Sequence, residues 1–289
     1  GTRRSRALKA PMYRLDIQTL YKQGGRSYQE DSYGVCEAGS VACLAIADGA
    51  GGHGGGHIAS QLAIRSVIEV HQREPLFSAD ALTGLLVRAH EVVRAGQQRF
   101  EKYPDMRSTL VVALVELHSG RVLLGNVGDS RAYVFSGARL VCQTRDHSMV
   151  QQLVDAGYVA PERVRTQPQR SVLLASLGMQ EALQPYVTEV PGAAAAGDTL
   201  LLCTDGFWEY VTEEFMQHAL AAGWPLREAL DHFDAQVLLA ARPGHDNYTA
   251  MMAQLKLDIG AEQDAADDTV RTADFDETVV AADSIDDTH

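Results

Sequence analysis

Residues 108–142, STLVVALVELHSGRVLLGNVGDSRAYVFSGARLVC, decide the fold class. Four short apolar runs follow one another here, at 110–117, 122–127, 132–135 and 140–142. The breaks between them, His118-Ser119-Gly120, Gly128-Asp129-Ser130 and Ser136-Gly137, are two or three residues long and made of turn formers. Connections this short cannot hold a helical crossover, so the runs are expected to pair as antiparallel hairpins.

Working outward, the N-terminal side opens with Tyr13, Leu15 and Ile17 alternating with polar residues, the period of a half-buried strand. The run VACLAIA at 41–47 reads as a buried strand that stops at Asp48-Gly49. Two amphipathic helices follow. Ile58, Leu62, Arg65 and Ile68 mark the first, and Leu82, Leu85, Leu86, Ala89, Val92 and Val93 the second, with Ser78 as its N-cap. On the C-terminal side a short helix at 147–156 leads into an irregular stretch, 157–184. Strands at 186–190 and 199–203, helices at 213–221 and 225–241, and a last strand at 248–257 complete the body. Strands and helices thus come in separate blocks, which argues for α+β with antiparallel sheets rather than alternating βαβ units.

The composition fits a globular body: of 289 residues, 46% are hydrophobic and 22% charged. The net charge of −13 is unevenly placed. Residues 258–289 hold eleven acids and one base, Arg271, which leaves only −3 for the rest, and the first fourteen residues hold five bases and no acid. A binder of nucleic acid by phosphate neutralisation is therefore not expected, because the body has no basic excess. No membrane partner is expected either, since no run of eighteen apolar residues exists, and the basic leader lacks the apolar stretch of a signal peptide. Four cysteines without C-x-x-C spacing suit a reducing, cytoplasmic setting rather than a disulfide framework or zinc site. The expected organisation is a flexible leader (1–12), a catalytic domain (13–257) and a disordered acidic tail (258–289).

Four aspartates share one setting, the junction of a buried strand with a loop: Asp48, Asp129, Asp205 and Asp246. Each alone is an ordinary turn residue. Converging, they would repel one another, and a divalent cation would relieve both the repulsion and the loss of solvation. Oxygen donors without His or Cys suit Mg2+ or Mn2+. Gly49 would let a backbone carbonyl approach such an ion, and Glu30 and Asp31 could hold its outer waters.

Seven motifs in order carry a resemblance that covers about 15–257. They are Arg26-Ser27-Tyr28-Gln29-Glu30-Asp31, Asp48-Gly49-Ala50-Gly51-Gly52-His53, Ser108-Thr109-Leu110, Gly125-Asn126-Val127-Gly128-Asp129-Ser130-Arg131, Asp146-His147-Ser148, Gly197-Asp198 with Thr204-Asp205-Gly206, and Asp246-Asn247-Tyr248-Thr249. The sequence resembles the metal-dependent protein phosphatases of the 2C type (the PPM family) in their compact bacterial form. The resemblance implies a four-layer αββα sandwich, two central antiparallel sheets flanked by helices, with a flap at about 146–184. It also implies a protein serine/threonine phosphatase that uses a hydroxide bridging two Mn2+ or Mg2+ ions, and that opposes a bacterial Ser/Thr kinase.

Residue by residue, Asp48 resembles the carboxylate that bridges the two ions, and Gly49 the carbonyl ligand. Asp205 and Asp246 match the other direct ligands, and Glu30 and Asp31 the water-mediated shell. Asp129 matches the aspartate that holds a third ion together with Asp205. Arg26 matches the phosphate-binding arginine, whose planar fork grips two oxygens, and Asn247 reads as an orienting residue. Two positions depart from the family pattern: Ala50, where some members carry His, and Gln29, where Asn is usual. With Ala50 in place, no general acid is assigned, and His53 reads as a loop-packing residue.

Two other functions share these residues, a catalytically silent phosphoprotein-binding scaffold and a hydrolase of small phosphate esters. A silent member should have lost a metal aspartate or the arginine, and here all are present. Phosphorylated proteins and a cognate kinase are the expected partners, and a monomer is the expected state. In the tail, threonine follows two acids at Thr269, Thr278 and Thr288. Thr269 and Thr278 are candidate sites for an acid-directed kinase, beside the plainer reading of a solvating tail.

Overall fold

The computed structural model describes residues 12–51, 55–258 and 269–273. Residues 1–11 of the leader, the Gly52-His53-Gly54 stretch with His53, and most of the tail with Thr278 lie outside the described residues.

Two antiparallel sheets stack face to face. One has five strands: β1 (Tyr13–Lys22), β11 (Tyr248–Leu257), β10 (Thr199–Cys203), β7 (Arg131–Ser136) and β8 (Arg139–Gln143), in that spatial order. The other has seven. Along it run β12 (Thr269–Thr272), β2 (Asp31–Ala38), β3 (Val41–Ala50), β5 (Leu110–Glu116), β6 (Arg121–Val127) and β9 (Tyr186–Glu189), while the short β4 (Arg107–Ser108) pairs with the end of β3. Helices α1 (Gly55–Arg73) and α2 (Ala79–Arg99) cover the seven-stranded sheet. On the five-stranded sheet lie α4 (Asp205–Trp208), α5 (Glu213–Ala221) and α6 (Leu226–Ala240). The result is the expected αββα order of layers. α3 (Met149–Asp155) and a 3-10 turn (Pro161–Thr166) lie in the segment expected to be the flap.

The continuous apolar run in β3 follows from this layering. Its side chains alternate between two buried surfaces. Cys43, Ala45 and Ala47 face the cluster under α1 and α2, whereas Ala42, Leu44 and Ile46 face the cluster between the sheets. A strand covered on both sides has no polar face to show. Ser78 caps α2 as expected, its Oγ accepting from the Ala81 amide at 3.1 Å.

Two expectations need correction, and one strand was not foreseen. Residues 128–130 do not close a hairpin. β6 and β7 belong to different sheets, and the chain crosses between them at Gly128-Asp129-Ser130. Gly128 has φ 97, which a side chain would disfavour, and this permits the sharp crossing. The tail, too, is not wholly without structure, for Thr269–Thr272 forms a strand on the edge of β2, with Thr269 opposite Glu37 and Thr272 opposite Gly34. The unforeseen strand is 31–38, which periodicity does not announce.

Candidate active site

The candidate aspartates come to one end of the sandwich because the strands that carry them all end there. Asp31 opens β2 and stands directly opposite Asp48, near the end of β3. Asp205 follows β10, and Asp246 precedes β11. Asp129 sits at the crossing between the sheets. Asp48, Asp129, Asp205 and Asp246, together with Arg26, Glu30, Gly49, Arg107 and flap residues including Ser171, Leu173 and Met179, line a cleft of about 480 Å³, while Asp31, opposite Asp48, is buried outside that lining. A second cavity of similar size, about 530 Å³, lies on the other side of the flap around His147 and holds none of these aspartates.

Hydrogen bonds to the main chain fix the positions of Asp48 and Asp129. The Asp48 amide donates to Thr109 Oγ1 (3.0 Å), the Thr109 amide donates to the Asp48 carbonyl (2.8 Å), and Ser108 Oγ donates to the same carbonyl (3.0 Å). Thr109 Oγ1 and Ser130 Oγ share a further hydrogen bond of 2.7 Å, which ties the Asp48 strand to the crossing that bears Asp129. Trp208 Nε1 donates to the Asp129 carbonyl at 2.9 Å. At Gly49 a Cβ would lie 2.0 Å from the Gly56 carbonyl oxygen, so only glycine lets the start of α1 close over this turn.

Burial sets the electrostatics. It pushes the Asp31 carboxyl up to about 8, helped by repulsion from Asp205 and Asp246 and opposed by hydrogen bonds from Thr249 and Thr204. Burial and then the Asp205 charge hold Asp48 and Asp129 well above the usual carboxylate range. Asp205 rises to about 6 through burial, with Asp246 and Glu209 adding, although hydrogen bonds from Asp48 and the Gly206 amide pull it down. Glu30 is raised chiefly by burial, against the pull of the Gly56 amide that donates to it at 3.1 Å. Buried Asp31 Oδ1 and Asp205 Oδ1 have no hydrogen-bond partner among the described residues.

A family model described as Protein phosphatase 2C matches residues 23–237. The chain belongs to the protein phosphatase 2C family. It is 35% identical over 214 residues to the serine/threonine protein phosphatase PstP of Mycobacterium tuberculosis, covering 73% of this chain and 40% of that protein. It therefore spans well under half the length of this relative. It is 32% identical over 238 residues to the serine/threonine phosphatase stp of Listeria welshimeri, covering 80% of this chain and 92% of that one. Among solved structures, the catalytic domain of PstP in complex with 2 manganese ions superposes with a TM-score of 0.70 at 30% identity, over 84% of this chain and 99% of that one.

The candidate donors here are all oxygens, which suits a hard divalent ion. Among the described residues, no three His, Cys, Asp or Glu side chains already stand in ligating position. The two partnerless oxygens and the raised carboxyls nonetheless match a site whose positive charge comes from outside. The residues fit the group.

Arg26 reaches the aspartates: its Nη2 donates to Asp246 Oδ2 at 2.7 Å, so one of its N–H groups is engaged there. Asn247 holds three backbone groups of the loop preceding β2. Its Oδ1 accepts from the Glu30 amide (2.8 Å), and its Nδ2 donates to the carbonyls of Gln23 (2.6 Å) and Tyr28 (2.9 Å), which fixes the loop that carries Arg26 and Glu30.

Sequence reasoning missed several participants. Thr204 and Thr249 both donate to Asp31 Oδ2, at 3.0 and 2.7 Å, and each lies within a quoted motif without a role. Arg131 and Asp146, also motif residues, form a buried two-pronged ion pair at 2.9 and 2.7 Å, and the guanidinium stacks 3.6 Å over the Trp208 ring. Arg107 was not singled out at all. Its only signal was a basic residue two positions before the threonine that holds Asp48.

Proposed function

We propose that this chain hydrolyses phosphoserine and phosphothreonine in proteins with the help of Mn2+ or Mg2+, and so reverses the work of an ATP-dependent Ser/Thr kinase. One observation carries the reading: five carboxylates line a cleft that also holds two arginines, a sixth, Asp31, is buried opposite Asp48, and burial and mutual repulsion raise Asp31, Asp48, Asp129 and Asp205 clear of their ordinary range. Asp48, the Gly49 carbonyl, Asp205 and Asp246 would hold two ions, Asp129 with Asp205 a third, and Glu30 and Asp31 would act through water. Bound there, the ions supply a nucleophilic oxygen at neutral pH and positive charge for a phosphoryl group.

The chain's own residues do the rest. Asp246 and Asn247 hold Arg26 at the cleft, leaving its other N–H groups for phosphate oxygens. Ser108 and Thr109 keep the Asp48 carboxylate in register with Asp31. Ala50 cannot donate a proton, so the threonine or serine oxygen that leaves takes its proton from water. The buried, pKa-raised Cys43 and Cys203 lie away from the cleft lining, which disfavours a cysteine nucleophile. The test is phosphate release from phosphothreonine peptides by the full chain with Mn2+, with Asp205→Asn as control. Activity that Asp205→Asn abolishes supports the reading. A chain that binds Mn2+ but cleaves no phosphopeptide overturns it.

A further inference from the structure

One sequence pattern occurs twice in the acidic segment, nine residues apart. Asp267-Asp268-Thr269-Val270-Arg271-Thr272-Ala273 and Asp276-Glu277-Thr278-Val279-Val280-Ala281-Ala282 each run two acids, Thr, Val, two variable positions and Ala. The first copy is docked as β12, antiparallel to β2. Its last residue, Ala273, is 4% exposed and donates its amide to the Tyr33 carbonyl at 3.1 Å.

The direction of that strand matters. β2 begins with Asp31 at the metal end of the sandwich. Thr269, opposite Glu37, is six residues away from that end, about 20 Å along the strand. Ala273, opposite Tyr33, is only two residues from it. From Ala273 to Asp48 is two residue steps along β2 and two strand spacings across, about 12 Å. Thr278 follows Ala273 by five residues, and five residues of chain span up to about 17 Å. The second threonine is thus tethered within reach of the cleft, while the first is held at the far end.

We propose that Thr278 is a phosphorylation site whose phosphate this chain removes from itself, with β12 as the anchor that makes the reaction intramolecular. The proposal rests on the phosphatase reading above. An ATP-dependent Ser/Thr kinase directed by the two preceding acids supplies the phosphoryl group. In the cleft a water oxygen bonds to phosphorus, the bond from phosphorus to Thr278 Oγ1 breaks, and the threonine oxygen takes up a proton as inorganic phosphate leaves. A tether of so few residues sets an effective concentration of order millimolar, so at micromolar protein the tail has about a thousandfold advantage over the same peptide added free.

The test is made on the full chain with phosphothreonine encoded at position 278. Reaction is started with Mn2+ and followed by intact mass, beside the free phosphopeptide of the same sequence. The expected loss is first order with a rate constant that does not change on dilution. Arg271→Pro removes the strand's central hydrogen bond. Ala273 and Tyr33 form a hydrogen-bonded pair, so Arg271 and Val35, two residues on, form the next, and proline lacks the amide. That variant should speed amide exchange at residues 33–37 and slow loss from Thr278 about tenfold or more, without changing cleavage of the free peptide. Phosphothreonine encoded at 269 instead, in the same two-acid context and with no disruptive substitution, should be lost more slowly than at 278.

A rate that falls with dilution overturns the proposal. So does a rate unchanged by Arg271→Pro once exchange shows the strand released, or equal rates at 269 and 278. If the free peptide is cleaved and Thr278 is not, the intramolecular reaction falls and the phosphatase reading stands. If neither is cleaved, both fall.

Discussion

Removal of divalent metal should make this protein lose stability as pH rises from 5 to 8, and Asp31 shows how. Its carboxyl is 2% exposed, accepts hydrogen bonds on one oxygen only, and is held at about 8 against an ordinary 3.8. A carboxyl with a folded pKa above its unfolded one binds more protons in the folded state. Its contribution is therefore intact below the unfolded pKa and is lost as pH climbs through the folded one. Each unit is worth 1.36 kcal/mol, so the loss between pH 5 and pH 8 is on the order of 4 kcal/mol. Asp48 and Asp129 push in the same direction, but they share the same repulsion and their effects do not simply add.

Urea unfolding at several pH values, in chelator and in excess Mn2+, measures this effect. In chelator the unfolding midpoint should fall steadily from pH 5 to pH 8, and Mn2+ should abolish or reverse the trend. Asp31→Asn, which keeps shape and acceptor but cannot ionise, should flatten the chelator profile and leave the variant more stable than the parent at pH 8. A metal-free profile that is flat or rises over this range would refute the electrostatic account of the site.

Three further outcomes follow from the geometry. Asp146→Ala leaves the Arg131 guanidinium buried without its two-pronged partner and should cost about 3–5 kcal/mol in denaturant unfolding. Arg107→Ala should raise KM for phosphopeptides about tenfold with kcat little changed, because this cleft-lining arginine has no carboxylate partner among the described residues and is exposed, consistent with a charge-assisted contact to substrate. Gly49→Ala brings a Cβ within 2.0 Å of a backbone oxygen and should abolish metal-dependent activity, and calorimetry should show Mn2+ binding lost with it.

The sequence announced features whose local pattern and tertiary role agree. The run in β3 is apolar throughout because both its faces are covered, and the carboxylates stand out because each follows or precedes such a strand. β2 escaped notice for a physical reason. Gly34 interrupts it, and a mid-strand glycine reads as a loop. In the structure a Cβ there would lie 2.8 Å from Ile64 and Ile68, so the glycine is the seat on which α1 rests. The crossing at 128–130 looks like a hairpin turn because turn chemistry does not say which sheet the next strand joins. The roles of Thr204, Thr249 and Arg131 depend on partners 15 to 218 residues away, which no local pattern encodes. β12 was hidden by its composition: a charged segment predicts solvation, yet pairing with an open edge draws on main-chain groups that composition does not describe.

That edge has a practical consequence. Without β12, β2 presents the row of free amide and carbonyl groups that lets exposed strands join end to end between molecules. Trimming the acidic residues after β11, as is often done to obtain a tidy catalytic core, would uncover it. The same cut would also strip most of the negative charge that keeps copies of the chain apart. A shortened protein should therefore precipitate more readily than the full chain, though its catalytic residues are untouched. By this reasoning the tail's charge and β12 together would guard against self-association.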